Sequence, residues 1–308
     1  MSPEPAVSVV IPTLDRREAV ERAVRSVLAQ TVRASEVVVV DDGSTDGTGD
    51  ALTGLDARVR YVRRDRGGGV SVARNAGIEM ARAPIVAFLD SDDRFLPTHL
   101  QTVCDLLAAH PEAPLASTAA SREGLSEPFP LVLLGGYTGF MSHVAVRREA
   151  LVGIGGFAEQ LAVAEDTDLR CRVALRGPFA LTRRETVDRS VSAGSLQERG
   201  REGGLYLPAL LRVAARLRGE LDSRDASLAQ VVDGFEASVH GMQAILDGDP
   251  DRAAVHLARA CELLPELGTR PQTIARRLSF CHPAWHEPQE RRRMLDVLDS
   301  CWPERYST

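Results

Sequence analysis

The first hundred residues alternate short β-branched apolar runs with segments that have one apolar helical face, and two of the runs end in carboxylate clusters. Residues 7–11 form the first such run, closed by Pro12. Ala19, Val20, Ala23, Val24, Val27 and Leu28 then share one helical face. The run Val37-Val38-Val39-Val40 predicts a second buried strand and leads into the turn formers Asp41-Asp42-Gly43-Ser44. A short helix is expected after Ser44 and a third strand over 59–62. The glycines at 67–69 lead to a helix near 71–81, and a fourth strand over 85–89 runs into Asp90-Ser91-Asp92-Asp93. Such β-α-β alternation predicts a mainly parallel sheet covered by helices on both faces. Ligands of such sheets bind beyond the carboxyl ends of the strands, where both acidic clusters sit.

Composition narrows the chemistry. All 37 of the Lys+Arg total are arginine. A Walker A loop, a protein-kinase site and a pyridoxal-phosphate Schiff base each need a lysine, so all three are excluded. The net charge of −6 argues against a general nucleic-acid binder. The cysteines at 104, 171, 261, 281 and 301 form no C-x-x-C pair and are expected as reduced thiols. His282 and His286 flank Trp285 without acidic companions, which is a poor metal site. No apolar run approaches the ~18–20 residues of a membrane span. The opening Met1-Ser2-Pro3-Glu4-Pro5 lacks the features of a signal peptide, so a cytoplasmic location is expected.

Residues 113–195 have a mixed pattern, punctuated by Gly135-Gly136 and Gly155-Gly156, with a helix expected over 165–175. After Gly203-Gly204 strand signals disappear, and 205–218, 226–246 and 250–264 read as helices. The expected division is an α/β domain over 1–200 and a helical extension over 201–308. Arg212, Arg216 and Arg218 beside leucines suit a peripheral contact with an anionic membrane, although packing against the first domain is the plainer alternative. The extension also offers a surface for a homodimer or for an acceptor.

Carboxylates that directly follow buried strands project into the cleft at the sheet's edge. Several together repel one another unless they share a cation. With water and a diphosphate they suit Mn²⁺ or Mg²⁺. The plainer alternative is that they are helix caps and turn formers.

Five segments in order resemble the motifs of family 2 glycosyltransferases of the GT-A fold, a Rossmann-like nucleotide-diphospho-sugar transferase architecture. They are Val7-Ser8-Val9-Val10-Ile11-Pro12-Thr13, Val39-Val40-Asp41-Asp42-Gly43-Ser44, Ala73-Arg74-Asn75-Ala76-Gly77, Phe88-Leu89-Asp90-Ser91-Asp92-Asp93, and Gly155-Gly156-Phe157 followed by Glu165-Asp166-Thr167-Asp168. The resemblance implies an inverting glycosyltransferase that uses a nucleotide sugar, UDP-linked by preference, and Mn²⁺ or Mg²⁺. The acceptor is a hydroxyl or other nucleophile of a glycan, a lipid-linked molecule, a small molecule or a peptide. It implies donor contacts at Pro12, Thr13, Asp42, Arg74, Asn75, Asp90, Ser91 and Asp92. Asp92 and Asp93 are the implied metal ligands and Asp166 the implied catalytic base. His143 and Glu165 fall on the acceptor side. Leu14 stands where the family often has an aromatic residue, and Arg189-Ser190-Val191 where it has Arg-x-His. The alternatives are a metal-dependent nucleotidyltransferase, whose Gly-rich, lysine-containing signature is missing, and a non-catalytic sugar-nucleotide-binding scaffold.

Overall fold

The computed structural model describes residues 6–65, 67–121, 123–126, 140–190, 204–221, 226–264 and 287–301. Arg66, Gly135-Gly136, the 200/201 boundary, Cys281, His282, Trp285 and His286 lie outside them. The chain divides into two compact units, Met1–Leu161 with Glu165–Ser192, and Ala162–Ala164 with Ala193–Thr308.

The first unit is built on an eight-stranded sheet. Its opening half contains β1 (Val7–Thr13), α1 (Arg17–Leu28), β2 (Glu36–Asp41), α2 (Thr48–Leu52), β3 (Val59–Arg63), α3 (Val70–Met80) and β4 (Ile85–Phe88). The strands β1, β2 and β4 are buried along their whole length, as their apolar runs predict. The remainder comprises β5 (Arg94–Phe95), α4 (His99–Ala109), β6 (Leu115–Ser117), β7 (Gly124–Leu125), β8 (Val144–Arg147), α5 (Arg148–Gly153), α6 (Glu165–Ala174), β9 (Phe179–Leu181) and β10 (Val187–Asp188). Sheet order is β3-β2-β1-β4-β8-β6-β9-β7, and β5 pairs with β10 separately.

Strands β3, β2, β1 and β4 run parallel, whereas β8 joins both β4 and β6 antiparallel. Strand order reverses between β1 and β4, which creates the crevice where ligands of open α/β sheets bind.

The first strand does not stop at Pro12. It continues to Thr13, paired with Asp41. The Asp42 N–H donates to the Thr13 carbonyl at 2.9 Å, so alternation turns the Pro12 nitrogen toward the β4 side. There the last ladder pair is Val10 with Phe88, and no amide is needed further on.

Helix α3 lies unusually close to β1. A Cβ placed on Gly77 would meet Val10 Cγ1 at 2.3 Å. This contact sets the depth at which α3 carries Arg74 and Asn75.

The second unit is helical. It contains α7 (Tyr206–Glu220), α8 (Ala226–Asp247), α9 (Pro250–Leu263) and α10 (Pro288–Cys301). Val213, Leu217, Val239, Met242, Ile245, Leu257 and Met294 are buried there. Helix α9 starts with Asp249 capping the Arg252 amide at 3.0 Å and Pro250 in the first turn. Among the described residues, no helix is long and apolar enough to cross a membrane.

Candidate active site

At the end of β1, the Thr13 hydroxyl is buried without a hydrogen-bond partner among the described residues. Beside it, Asp41 accepts from the Tyr61 hydroxyl, from Ser44 N at 2.7 Å and from Gly43 N at 3.1 Å. Burial opposes ionisation of Asp41, but these hydrogen bonds outweigh it and hold its pKa below the ordinary value.

Asp42 is buried and bound to the glycine-rich segment. It accepts from Gly68 N at 2.9 Å, Gly69 N at 2.7 Å and Arg64 Nη1 at 3.1 Å. The glycines at 67–69 therefore wrap the carboxylate that the resemblance assigns to the base.

Arg74 crosses the crevice. Its guanidinium donates to Asp90 Oδ1 at 2.8 Å and to Glu165 Oε1 at 2.9 Å, and lies 5.1 Å from the Phe157 ring centre. Only 4% of the residue is exposed. One buried cation thus joins the acidic loop after β4 to the start of α6.

Asn75, one residue on, faces the turn before α6. It bonds the Phe157 backbone in both directions and donates to Glu159 Oε1 at 2.9 Å. Its amide is committed to protein contacts, whereas the resemblance expects it near the ribose and phosphates.

The segment after β4 is organised by Ser142, which was not singled out in the sequence. Its hydroxyl donates to Asp93 Oδ2 at 2.6 Å and accepts the Asp90 N–H at 3.1 Å. Asp93 also accepts from Ser190 N at 3.1 Å. Burial pushes the Asp93 carboxyl up to about 6 against the Ser142 hydrogen bond, and the charges of Asp90 and Asp92 add to the rise. Ser91 is buried. Asp92, more open, pairs with Arg16 Nη1 at 2.5 Å.

Among the described residues, no group of three or more His, Cys, Asp or Glu side chains converges on one point. Asp93 is committed to Ser142 and Ser190. Of the two implied metal ligands, Asp92 is the more open one, and it would hold a magnesium-like cation only together with oxygens from a ligand or water.

The opening of α6 supplies the base candidate. Asp166 is partly exposed and accepts from Thr167 N at 2.7 Å and Arg170 Nη2 at 2.8 Å. Its neighbour Glu165 is more enclosed. Burial and the adjacent Asp166 raise its pKa, with Arg74 opposing the rise. Deeper in α6, Arg172 is fully buried against Asp168 and donates to Ile154 O at 2.7 Å and Gly156 O at 2.6 Å. The helix is thereby bound to the same turn that Asn75 holds.

His143 is buried, with Nε2 at 2.9 Å from Glu185 Oε1. Burial lowers its pKa against the pull of Glu185. Arg189 stacks over the Phe140 ring at 3.3 Å. Leu14 is exposed.

Residues 8–135 match the family described as Glycosyl transferase family 2. A succinoglycan biosynthesis protein, ExoU of Rhizobium meliloti, is 32% identical over 197 residues, covering 56% of this chain and 57% of that protein. The chain spans roughly half or less of the length of the curated relatives it matches. Among solved structures, S. aureus TarS 1-349 in complex with UDP-GlcNAc superposes with a TM-score of 0.65 at 16% identity, covering 96% of this chain and 89% of that one. The mannosyltransferase PcManGT of Pyrobaculum calidifontis, in complex with GDP-Man and Mn²⁺, gives 0.60 at 19% identity, covering 97% and 86%. At these identities the structural likeness establishes the GT-A fold.

Proposed function

We propose, from the match of residues 8–135 to glycosyl transferase family 2, that this chain transfers a sugar from a nucleotide sugar to an acceptor nucleophile with inversion. The observation that carries this reading is the Arg74 bridge, which makes one cleft of the donor-side Asp90 and the base-side Glu165-Asp166 segment. In this reading Pro12, Thr13 and Asp42 line the base pocket, with a uridine ring N–H facing Asp42. The unpartnered Thr13 hydroxyl supports a polar ligand there. Asp90, Ser91 and Asp92 line the sugar and diphosphate. Asp92 would hold Mn²⁺ or Mg²⁺ together with the diphosphate, and the ion would supply positive charge against that of the departing nucleoside diphosphate.

Asp166 takes the proton of the acceptor hydroxyl as that oxygen attacks the anomeric carbon from the face opposite the diphosphate. The diphosphate leaves without protonation, so a single carboxylate suffices. Arg170 orients the Asp166 carboxylate at 2.8 Å.

Thermal-shift titration with UDP-GlcNAc and GDP-Man, with and without Mn²⁺, tests the donor reading. A donor at a hundred times its Kd adds ~2.7 kcal/mol of stability. Mass spectrometry with candidate acceptors reads transfer directly. Absence of stabilisation by any nucleotide sugar, together with absence of nucleoside diphosphate release, overturns the reading.

A further inference from the structure

We infer that Arg16 is a donor-diphosphate ligand that shares Asp92 with the divalent cation, releasing the carboxylate as the metal arrives and pairing with the diphosphate instead. The inference rests on the donor reading above and adds a residue that the motif resemblance did not assign.

Three observations support it. First, the backbone is bent to aim this side chain. Asp15, immediately before Arg16, has a φ of +49°, in a region that a non-glycine residue occupies only at a cost. Second, the bend is held by the turn that follows the first acidic cluster, Asp41-Asp42. The Asp15 N–H donates to Ser44 Oγ at 2.8 Å, and Asp15 Oδ1 accepts from Thr45 N at 2.7 Å. Ser44 is itself fixed by Asp41. Third, the guanidinium so delivered reaches Asp92, on a loop 76 residues away in sequence, at 2.5 Å.

Arg16 is about one third exposed and Asp92 one fifth, so the pair stands at the edge of the cleft rather than in the core. A guanidinium and a metal ion compete for one carboxylate. A diphosphate offers the guanidinium an anionic, charge-assisted partner in place of the carboxylate, with two oxygens of one phosphate within reach of its fork. The exchange keeps every charge neutralised before and after donor binding.

The test uses the full chain with Arg16→Ala and Arg16→Lys, and two ligands, Mn²⁺ alone and UDP. Free Mn²⁺ is counted by electron paramagnetic resonance, and UDP affinity is measured by calorimetry at saturating Mn²⁺. Arg16→Ala is expected to bind Mn²⁺ alone several-fold more tightly, because the competing cation is gone. It should bind UDP about tenfold more weakly, the loss of one charge-assisted contact. Arg16→Lys should fall between wild type and Arg16→Ala in both measurements. Unchanged Mn²⁺ and UDP affinities in Arg16→Ala, with only the melting temperature lowered, would show a purely structural residue and overturn the inference. If Arg16→Ala does not fold, Arg16→Gln keeps the packing stem and removes the charge, with the same expectations. A wild-type chain that binds no UDP overturns the donor reading and this inference with it; UDP binding that is indifferent to Arg16 overturns the inference alone.

Discussion

Asn75 and Phe157 hydrogen-bond reciprocally. The Phe157 N–H donates to Asn75 Oδ1 at 2.7 Å, and Asn75 Nδ2 donates to the Phe157 carbonyl at 3.0 Å. The side-chain amide pairs with a peptide 82 residues away as a neighbouring strand would. Gly156 makes room for it, since a Cβ there would lie 2.4 Å from Asn75 Oδ1. Asn75 is the only asparagine of the chain.

Replacing it with aspartate keeps the acceptor and removes the donor, leaving the Phe157 carbonyl and Glu159 facing a carboxylate. The expected cost is ~1–3 kcal/mol, that of an unsatisfied polar group. Urea unfolding of Asn75→Asp measures it. A midpoint equal to that of the wild type would mean that the turn is held by other contacts.

Asp166→Asn is expected to lower kcat by ~10²–10⁴-fold, the range for loss of a general base. Nucleotide-sugar Kd should stay within a few fold, because the proposed contact of Asp166 is the acceptor. Parallel measurement of kcat and Kd separates the two effects. A defect confined to Kd would move the base assignment to Glu165, since Asp168 is buried against Arg172.

Asp42→Asn puts an amide nitrogen among the N–H groups of Gly68, Gly69 and Arg64, which the carboxylate now satisfies. UDP affinity should fall by ~1–3 kcal/mol, through the base contact and the loosened glycine segment together. Calorimetry with UDP checks this. Unchanged affinity would remove Asp42 from the pocket.

These residues show what a linear reading can and cannot deliver. The strands β1, β2 and β4 were legible because their apolar runs are buried on both faces and, in β2 and β4, lead into carboxylate clusters. The later strands were not. Leu115–Ser117 and Phe179–Leu181 are too short to display a period, and their burial comes from neighbours in the sheet. The site shows the same limit. Asp90, Asp92 and Asp166 could be named from motif position. Ser142 lies 49 residues from the Asp93 it organises, and the Arg16 pairing with Asp92 spans 76. No local pattern encodes either partnership.

Glu36 gives the fold a dependence on acid. It accepts from Arg60 at 2.6 Å, the Arg82 amide at 2.7 Å and Ser8 at 2.8 Å. Burial opposes its charge, but these hydrogen bonds prevail and hold its pKa below the ordinary 4.5. Its contribution to stability is therefore whole above the unfolded-state pKa and is lost as pH falls through the lower folded value. Unfolding free energies measured from neutral pH downward should show a steeper decline for the wild type than for Glu36→Gln. Identical slopes would mean that Glu36 titrates alike in both states.

Gly77→Ala should destabilise the chain by ~1–3 kcal/mol through overpacking, read as a lowered melting temperature. Val10→Ala in the same chain should recover part of that loss, by vacating the space the new methyl needs. Full additivity of the two substitutions would show that α3 moves away instead.

The contact between Gly77 and Val10 also constrains how the chain can diverge. The two positions share one volume, so neither can drift alone without displacing the helix that carries Arg74 and Asn75. A lineage that enlarges position 77 must shrink position 10, in either order but within the stability margin that one unmatched step leaves. Substitutions at these two sites are therefore expected to be energetically coupled.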